Sequence, residues 1–597
     1  MREHKAECGS EGFPSSHDAL VDQYLHKRAA LITEEQKQRH DRHFQNSLSP
    51  TAIRACEIVS EIRAREAKPL ESYTKALDCG YYEYEAYQPQ DILHSGDLFK
   101  SRALNYMDPT KTDLWKIVHR MPKGSLLHAH LEAIFEVEYM IDQCFNTPGI
   151  HMCAEKPLLT SKDFNEAPFK FQYASASVSG EPKTQSNSIW MPGYESLSLI
   201  PIRVAASSFP GGGEAQFRAW LKSRCVIMPE QPPRNHHHGF DGIWDLFKRI
   251  FPIVISIMSY EPIFRCGFRR ALSQLAKDGI QYAEFRMGGW NGFRREGHDD
   301  LLADPFYIFR VLEEEISLFE ASAEGKDFYG ARIIYAPKRS YPIEKIMNRM
   351  EMCIQLKKAF PALICGFDLV GQEDQGRSLV ELMPTLLWFQ KRCHDQGLEE
   401  IPLFLHAGEC LGDGDETDQN IFDAILLKSR RIGHGFSVYK HPLLIDMIKE
   451  RQILIECCPI SNEVLGLTSS IKSHPLPALL SRGVPVALCN DDPAIFGRGS
   501  GRGEGKNGLT HDFFFTLQAL DNLGLAGLGY MAENSVRWSC YEDQSAEQWQ
   551  AGIQSGGGNG LKAARLRQWY VKFEEYCQWI VAEFGDAITQ DTVHLAP

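Results

Sequence analysis

The sequence predicts an α/β fold: a closed (β/α)8 barrel of the TIM type, with an N-terminal helical arm and a long insertion after the first strand. From residue 124 onward, short apolar segments rich in β-forming residues recur eight times, and polar residues or glycine end each one. Longer stretches separate the later segments; residues 421–429 and 442–450, for example, are long enough for a helix. Eight alternating units of this kind favour a closed parallel barrel over an open sheet.

The predicted strands are unevenly spaced. They are residues 125–130, 280–287, 331–336, 363–370, 402–406, 431–434, 452–458 and 484–490. The gap after the first strand is far longer than one crossover helix needs. Within it, residues 145–240 are rich in Gly, Pro and Ser and predict an inserted subdomain or a partly mobile loop. Three consecutive histidines at 236–238 are interpreted as a solvated run, and residues 242–272 predict an apolar helix.

Helical segments flank the predicted barrel. The predicted regions are an N-terminal helical arm (1–115), the barrel with its insertion (116–585) and a C-terminal tail (586–597). In the arm, Ser49 and Pro50 predict the N-cap and first residue of a helix. The apolar positions of that helix are Ile53, Cys56, Val59 and Ile62. Near the other end, glycine-rich residues 555–560 precede a predicted amphipathic helix over 561–584.

Composition and charge exclude several classes of protein. The 597 residues are 43% hydrophobic and 24% charged, which is typical of a large soluble globular protein. A net charge of -14 disfavours binding to nucleic acid or to an anionic membrane. No apolar run is long enough to span a bilayer, and the N-terminus lacks the apolar segment of a signal peptide, so a cytoplasmic location is expected. The 16 cysteines are scattered, which favours reduced thiols over a disulfide framework.

Residues that commonly bind metals fall at the ends of the predicted strands. His128 and His130 lie two apart on the first strand, so both imidazoles point to the same face. His406 ends the fifth strand and His434 ends the sixth, while Asp491 directly follows the eighth. Barrel enzymes place their active sites at this carboxyl-terminal face of the strands. The spacing therefore predicts a catalytic metal centre in the barrel mouth.

The predicted ligand types favour one Zn²⁺ per chain. Three imidazoles and one carboxylate, with no thiolate, are typical of a catalytic zinc site that leaves room for water. Bound zinc lowers the pKa of water to about 7, so hydrolytic chemistry is expected. Glu409, three residues after His406, is a candidate proton carrier. His434 is either a fourth imidazole ligand or a base that orients the zinc-bound water.

Five segments in this order and spacing resemble the adenosine deaminase family of the amidohydrolase superfamily. They are MPKGSLLHAHLE, GFDLVG, HAGE, RIGHG and NDDP. Longer matches, including RIGHGFSVYKHP, CPISN and DDPAIFG, are most similar to the adenosine deaminase-related growth factor subgroup. The resemblance extends over residues 114–549 outside the insertion and implies zinc-dependent hydrolytic deamination of a 6-aminopurine nucleoside, with adenosine or 2′-deoxyadenosine converted to inosine and ammonia. It also implies a homodimer formed through N-terminal helices.

The resemblance further implies a role for each residue of the predicted site. His128, His130, His406 and Asp491 would bind Zn²⁺. Glu409 would protonate purine N1, and His434 would position and deprotonate the zinc-bound water that attacks C6. Asp492 would bind N7, and the backbone amide of Gly371 would bind N3. Holding donor, ion and base around one carbon would lower the barrier to addition.

Departures from the family pattern lie at the expected substrate rim. Glu132 stands where the family usually has the Asp that reaches the ribose 5′-hydroxyl, and Gln372 stands where the subgroup usually has His. After the NDDP segment, a glycine-rich loop carries Arg498, Arg502 and Lys506 and could bind a 5′-phosphate, although a solvated loop is favoured.

Three alternative functions follow from these features. An AMP deaminase of the same fold would use the basic loop for the substrate phosphate. A non-catalytic signalling or scaffold protein would be expected to lose some of the ligands, whereas all are present. An aldolase or phosphate-binding barrel is compatible with the fold alone but would not need this set of motifs. A cytidine-deaminase-type site is excluded because the sequence has no P-C-x-x-C segment. The fourth strand has no lysine that could bridge two metal ions, so one metal is preferred over a binuclear site.

Overall fold

The computed structural model describes most of the chain. The described residues are 19–77, 112–179, 188–227, 239–288, 292–496, 508–520, 522–554 and 560–593. Three of the features predicted above lie outside them: the histidine run at 236–238, most of the glycine-rich break at 555–560, and the basic loop with Arg498, Arg502 and Lys506.

The described chain contains eleven strands and twenty-two α-helices, numbered here in chain order. The strands are β1 (Gly124–His130), β2 (Ile150–Ala154), β3 (Phe169–Tyr173), β4 (Ile200–Pro201), β5 (Ile280–Met287), β6 (Ala331–Tyr335), β7 (Ile364–Phe367), β8 (His406–Ala407), β9 (Arg431–His434), β10 (Leu454–Cys457) and β11 (Val486–Leu488). Helices before β5 are α1 (Ala19–Lys37), α2 (Arg42–Ser47), α3 (Pro50–Leu77), α4 (Asp113–Arg120), α5 (Val137–Asn146), α6 (Ser161–Glu166), α7 (Ala176–Ser179), α8 (Ile202–Ser207), α9 (Glu214–Cys225), α10 (Gly239–Met258) and α11 (Glu261–Lys277). Later helices are α12 (Tyr307–Glu320), α13 (Ile343–Ala359), α14 (Leu379–Asp395), α15 (Asn420–Leu426), α16 (Pro442–Glu450), α17 (Pro459–Val464), α18 (Leu476–Ser481), α19 (Thr510–Ala519), α20 (Gly524–Arg537), α21 (Ala546–Gln554) and α22 (Leu561–Val593). None of the described helices is long and apolar enough to cross a membrane.

Eight parallel strands form the predicted barrel. One four-stranded sheet has the order β1-β5-β6-β7, and a second has the order β11-β10-β9-β8. A parallel bridge between Phe367 and Leu403 joins β7 to the segment that leads into β8. A second parallel bridge, between Ala129 and Asp491, joins β1 to the residues after β11. These two bridges close the ring, so the (β/α)8 barrel predicted from the sequence is confirmed.

All eight predicted strands are present, and five of them are shorter than the sequence predicts, whereas β5 and β9 have the predicted bounds and β1 is one residue longer. The predicted strand 402–406 is largely irregular, and only His406–Ala407 pairs in regular strand geometry with β9. The barrel interior beneath the mouth contains a separate cluster of buried apolar side chains, including Leu127, Ile334, Phe404 and Leu454. This packed interior supports the strand ends above it.

Between β1 and β5, the described residues form a small subdomain. Strands β3, β2 and β4 pair in that order as an antiparallel sheet. Helix α10 packs against β3. The single helix predicted over 242–272 is wrong, because the chain breaks into α10 and α11 at Ser259 and Tyr260. Tyr260 is extended at φ -118°, and proline in the first turn of α11 sets a new helix start.

The N-terminal and C-terminal helices pack together against the barrel. Helix α3 begins at Pro50 as predicted, and the backbone N–H of Ala52 donates to the Ser49 hydroxyl at 3.0 Å. Its buried face is shifted from the predicted one, since Ile53 is 48% exposed. The buried side chains are Ala52, Ala55, Ile58, Val59 and Ile62. This face packs on α22 and α20.

Candidate metal and active site

The structure brings the four predicted metal ligands together at the barrel mouth. His128 and His130 lie on β1, His406 begins β8, and Asp491 lies three residues after the end of β11. One ligand nitrogen from each of the three histidines lies within 4.8 Å of the others. Oδ1 of Asp491 lies 3.4 Å from Nε2 of His128 and 3.2 Å from Nε2 of His130. Strands remote in sequence therefore supply side chains to one point.

The backbone conformation of Asp491 and His434 helps to orient their side chains towards the ligand cluster. Asp491 has φ +59° and His434 has φ +62°, both in the left-handed region. Non-glycine residues are uncommon there, and such conformations are often found at functional sites. Two hydrogen bonds hold Asp491 in place: its N–H donates to the carbonyl of His128, and its carbonyl accepts from the N–H of His130, both at 3.1 Å.

Carboxylates orient two of the imidazoles. Nδ1 of His128 lies 2.8 Å from Oε2 of Glu456, and Nδ1 of His406 lies 2.6 Å from Oδ2 of Asp368. A hydrogen bond from Nδ1 to a carboxylate leaves the lone pair on Nε2 and points it into the site, as metal ligation requires. Burial lowers the pKa of His406 to about 3, even though Asp368 opposes this shift, so the imidazole is neutral.

Two arginines neutralise these buried carboxylates from below. Arg286 donates to Asp368 at 2.8 Å and to Glu456 at 2.5 Å, and all three side chains are fully buried. Arg431 donates to the other oxygen of Glu456 at 2.5 Å and to Glu284 at 2.7 Å. Burial alone would raise the pKa of Glu456, but Arg286 and Arg431 hold it well below its usual range. The carboxylate therefore stays ionised beneath His128.

Glu409 and Asp492 are buried acids with the opposite electrostatic balance. Burial, reinforced by the negative charge of Asp491, raises the pKa of Glu409 and that of Asp492 well above the usual range. Glu373 also raises the pKa of Glu409, and its carboxylate accepts from the backbone N–H of Glu409 at 2.9 Å. Both acids are thus suited to carry a proton at neutral pH.

His434 lies beside these acids. Its Nδ1 is 3.3 Å from Oε1 of Glu409, and its Nε2 is 4.0 Å from Oδ2 of Asp491. Burial lowers the pKa of His434 well below its usual range, so the ring is neutral. Its ring centroid lies 4.7 Å from that of His128 and 5.1 Å from that of His406. The structure thus places His434 next to the ligand cluster.

The donor set fits a divalent cation. Among the described residues, Nε2 of His128 and Oδ1 of Asp491 are buried and have no hydrogen-bond partner, although they face each other. Buried polar atoms normally have partners, and two such atoms aimed at one point fit a cation bound between them. Three imidazoles and one carboxylate suit Zn²⁺.

A cavity of about 880 Å³ opens from this centre. Glu132, Gly371 and Gln372 line it, as do Glu409 and Asp492. Gly371 has φ +104°, and a Cβ built there would meet nothing within 4 Å, so its backbone faces open space. The wall opposite the barrel is apolar and comes from β3 and α10; it includes Phe169, Phe171, Trp244, Phe247 and Phe251. All predicted substrate contacts therefore share one pocket, as a purine would require.

Sequence reasoning missed the groups that hold the ligands in place. Arg286, Arg431 and Glu456 were not singled out, although each is a charged residue in a strand that the structure buries completely. Charged residues inside such strands were a usable signal, because they must be paired. Ser461, whose hydroxyl donates to Oδ2 of Asp491 at 2.7 Å, gave no such signal.

Comparison with known proteins shows which family the chain is similar to. The sequence pattern of the adenosine deaminase family matches residues 228–547. The chain is 30% identical over 435 residues to adenosine deaminase 2 of Sus scrofa, covering 72% of this chain and 78% of that one. It is 30% identical over 451 residues to an adenosine deaminase of Aedes albopictus (73% and 72%), and 28% identical over 473 residues to adenosine deaminase 2-A of Danio rerio (78% and 84%).

Proposed function

This chain belongs to the adenosine deaminase family and is a hydrolytic deaminase, and from that premise we propose that it is a zinc enzyme converting adenosine, or 2′-deoxyadenosine, to inosine and ammonia. The observation that carries the proposal is the convergence of His128, His130, His406 and Asp491 on one point at the base of a purine-sized pocket. These four residues would hold one Zn²⁺. When bound, the ion would lower the pKa of water and so supply a nucleophile at neutral pH.

The chain's own residues account for binding and proton transfer. The reaction forms a C6–O bond and breaks the C6–N bond. Of the two protons of the water consumed, one is balanced by the proton gained at N1 and the other by the proton with which the amino group leaves as ammonia. Protonated Glu409 would supply the proton at N1, because burial and the neighbouring acids raise its pKa and so favour its protonated form. Asp492, protonated for the same reason, would donate to N7, which is a hydrogen-bond acceptor. The N–H of Gly371 would donate to N3.

The pocket geometry supports nucleoside recognition. Glu132 lies at the pocket wall and is only 8% exposed. Its carboxylate would accept a hydrogen bond from a sugar hydroxyl. Gln372 also lines the pocket beside Gly371. The apolar wall formed by β3 and α10 excludes water from the purine, which strengthens the hydrogen bonds to the ring.

A direct assay tests the proposal. Purified protein is incubated with adenosine, 2′-deoxyadenosine, AMP and adenine, and deamination is followed by ultraviolet absorbance while bound metal is measured by mass spectrometry. We expect one zinc per chain and fastest turnover of a nucleoside. His406→Ala should lose both metal and activity. His441→Ala is the matched control, because His441 pairs with Asp418 at 3.0 Å outside the ligand cluster and should keep both.

Two outcomes would overturn the proposal. Stoichiometric zinc with no turnover of any 6-aminopurine would refute deamination of these substrates. Preferential turnover of AMP would replace adenosine with the nucleotide, as in the alternative considered from the sequence.

We also propose a homodimer. Helix α1 has no buried residue in the single chain, and it exposes Leu20, Tyr24, Leu25 and Leu31. A second copy would cover this apolar surface. Sedimentation should give about twice the chain mass of 67.7 kDa, and a serine variant of these four residues should shift it to the monomer. A monomeric wild type at micromolar concentration would refute the dimer.

A further inference from the structure

A buried chain of hydrogen bonds runs from the backbone to His434. The N–H of Leu476, at the start of α18, donates to Nδ1 of His474 at 3.0 Å. Nε2 of His474 lies 3.0 Å from Oδ1 of Asn462, and Nδ2 of Asn462 lies 3.3 Å from Nδ1 of His434. All three side chains are at most 4% exposed. Neither His474 nor Asn462 is a predicted ligand or substrate contact.

The direction of this chain is fixed by its first member. A backbone N–H can only donate, so Nδ1 of His474 must carry a lone pair. Burial lowers the pKa of His474 to about 3, so the ring is neutral and its proton lies on Nε2. Nε2 then donates to Asn462, which identifies the facing amide atom as the oxygen. The amide NH₂ is left to donate to Nδ1 of His434.

We propose that Asn462 and His474 are positioning residues that hold His434 in the neutral tautomer with its proton on Nε2. The proposal rests on the proposed deaminase function and concerns the same site. Oε1 of Glu409, also 3.3 Å from Nδ1 of His434, is compatible with a lone pair there when that carboxyl group is protonated. No other described side chain forms a hydrogen bond or an ion pair with Nδ1.

This tautomer gives His434 a defined chemical role. Nε2 points towards Asp491, whose nearer oxygen Oδ2 already accepts from Ser461 at 2.7 Å. At 4.0 Å the Nε2–H makes no hydrogen bond to Asp491 and is available to the attacking oxygen beside it. In this form His434 donates a hydrogen bond and orients the nucleophile, in place of the base that the family resemblance implies. The wrong tautomer would present a bare nitrogen to the nucleophile.

Asn462→Asp is the sharpest test, because it keeps the shape and the acceptor for His474. A carboxylate cannot donate to Nδ1 of His434, so the proton of His434 would move to Nδ1. We expect kcat for adenosine to fall by about 100-fold or more, while KM changes less than about threefold and zinc content is unchanged. Nitrogen-15 NMR of histidine-labelled protein should show an Nε2–H resonance for His434 that is replaced by Nδ1–H in the variant.

A matched pair at His474 separates positioning from packing. The amide NH₂ of His474→Gln can replace the donor at Nε2, so its kcat should stay within about threefold of wild type. His474→Leu fills similar volume without a donor and should lose at least about tenfold. If Asn462→Asp does not fold, the two His474 variants and the NMR spectrum of the wild type still test the positioning role.

The results that overturn the proposal are distinct from failure of the proposed function. Wild-type kcat in Asn462→Asp at full zinc content, equal losses in the two His474 variants, or an Nδ1–H signal for His434 in the wild type would each refute positioning. An inactive wild type would refute the deaminase assignment instead, and the NMR spectrum would still decide the tautomer.

Discussion

Replacing Glu456 with glutamine would separate the electrostatic support of the metal site from its shape. Both oxygens of Glu456 accept charged or polar donors: Arg431 on one, and Arg286 together with His128 on the other. Glutamine offers one oxygen and one NH₂ in the same volume. Whichever way the amide turns, one donor faces another donor, and two fully buried arginines lose a counter-charge.

The buried ion pairs of Glu456 set the expected loss of stability in the glutamine variant. Removing one partner of a buried ion pair typically costs about 3–5 kcal/mol. The entropy of unfolding is roughly 1 kcal/mol per kelvin for a barrel of this length, so Tm should fall by about 3–5 °C. His128 also loses the carboxylate that orients its ring, and changes of that kind usually lower metal affinity by about 10- to 100-fold.

The assay pairs calorimetry with zinc competition against a chromophoric chelator. Glu315→Gln is the matched control. Glu315 is likewise fully buried and accepts from two arginines, Arg265 at 2.8 Å and Arg269 at 2.7 Å, but it lies on α12 outside the barrel ring. It should lower Tm by a similar amount and leave zinc affinity unchanged. Wild-type zinc affinity in Glu456→Gln, or an equal loss in Glu315→Gln, would contradict the reasoning.

Three further predictions use other groups. Asp492→Asn keeps an N–H donor for N7 and should lower kcat/KM by less than about tenfold, whereas Asp492→Ala should lose about 100-fold; equal losses would exclude a donor role. Glu132→Asp shortens the side chain by one methylene at the pocket wall and should change KM for nucleosides but not for adenine, as steady-state kinetics would show. Burial lowers the pKa of Lys562 to about 7, and its Nζ has no hydrogen-bond partner among the described residues. The unfolded chain therefore holds more protons than the folded one from pH 7 to 10, and stability should rise with pH across that window; a Lys562→Met variant that retained this rise in urea titrations would show that Lys562 is not its source.

The sequence predicted the barrel well because each strand leaves a local pattern of apolar residues. The strand around His406 is the instructive exception: residues 403–406 are buried, yet the predicted strand 402–406 pairs regularly only at its last residue. Hydrogen-bond register depends on neighbouring strands, which no local pattern records. The break between α10 and α11 at Tyr260 was missed because long apolar stretches stand on both sides of it.

The site was predictable to the extent that its side chains stand at strand ends. His128, His130, His406 and Asp491 could be placed together because a barrel gathers those ends on one face. The residues behind them, such as Asp368 and Asn462, belong to contacts between distant segments that only the folded chain reveals. The direction of the hydrogen bonds at His434 depends on a backbone N–H at Leu476, which no pattern of side chains could have shown.

The bridge between Ala129 and Asp491 means that predicted ligands on and after the first and last strands lie side by side, more than 360 positions apart in the chain. An ion held there would link the first and last strands of the barrel, and it could bind only after the final strand has docked. Zinc uptake during refolding should consequently be a late event that reports completion of the barrel, and nascent chains released before β11 should be unable to retain the metal.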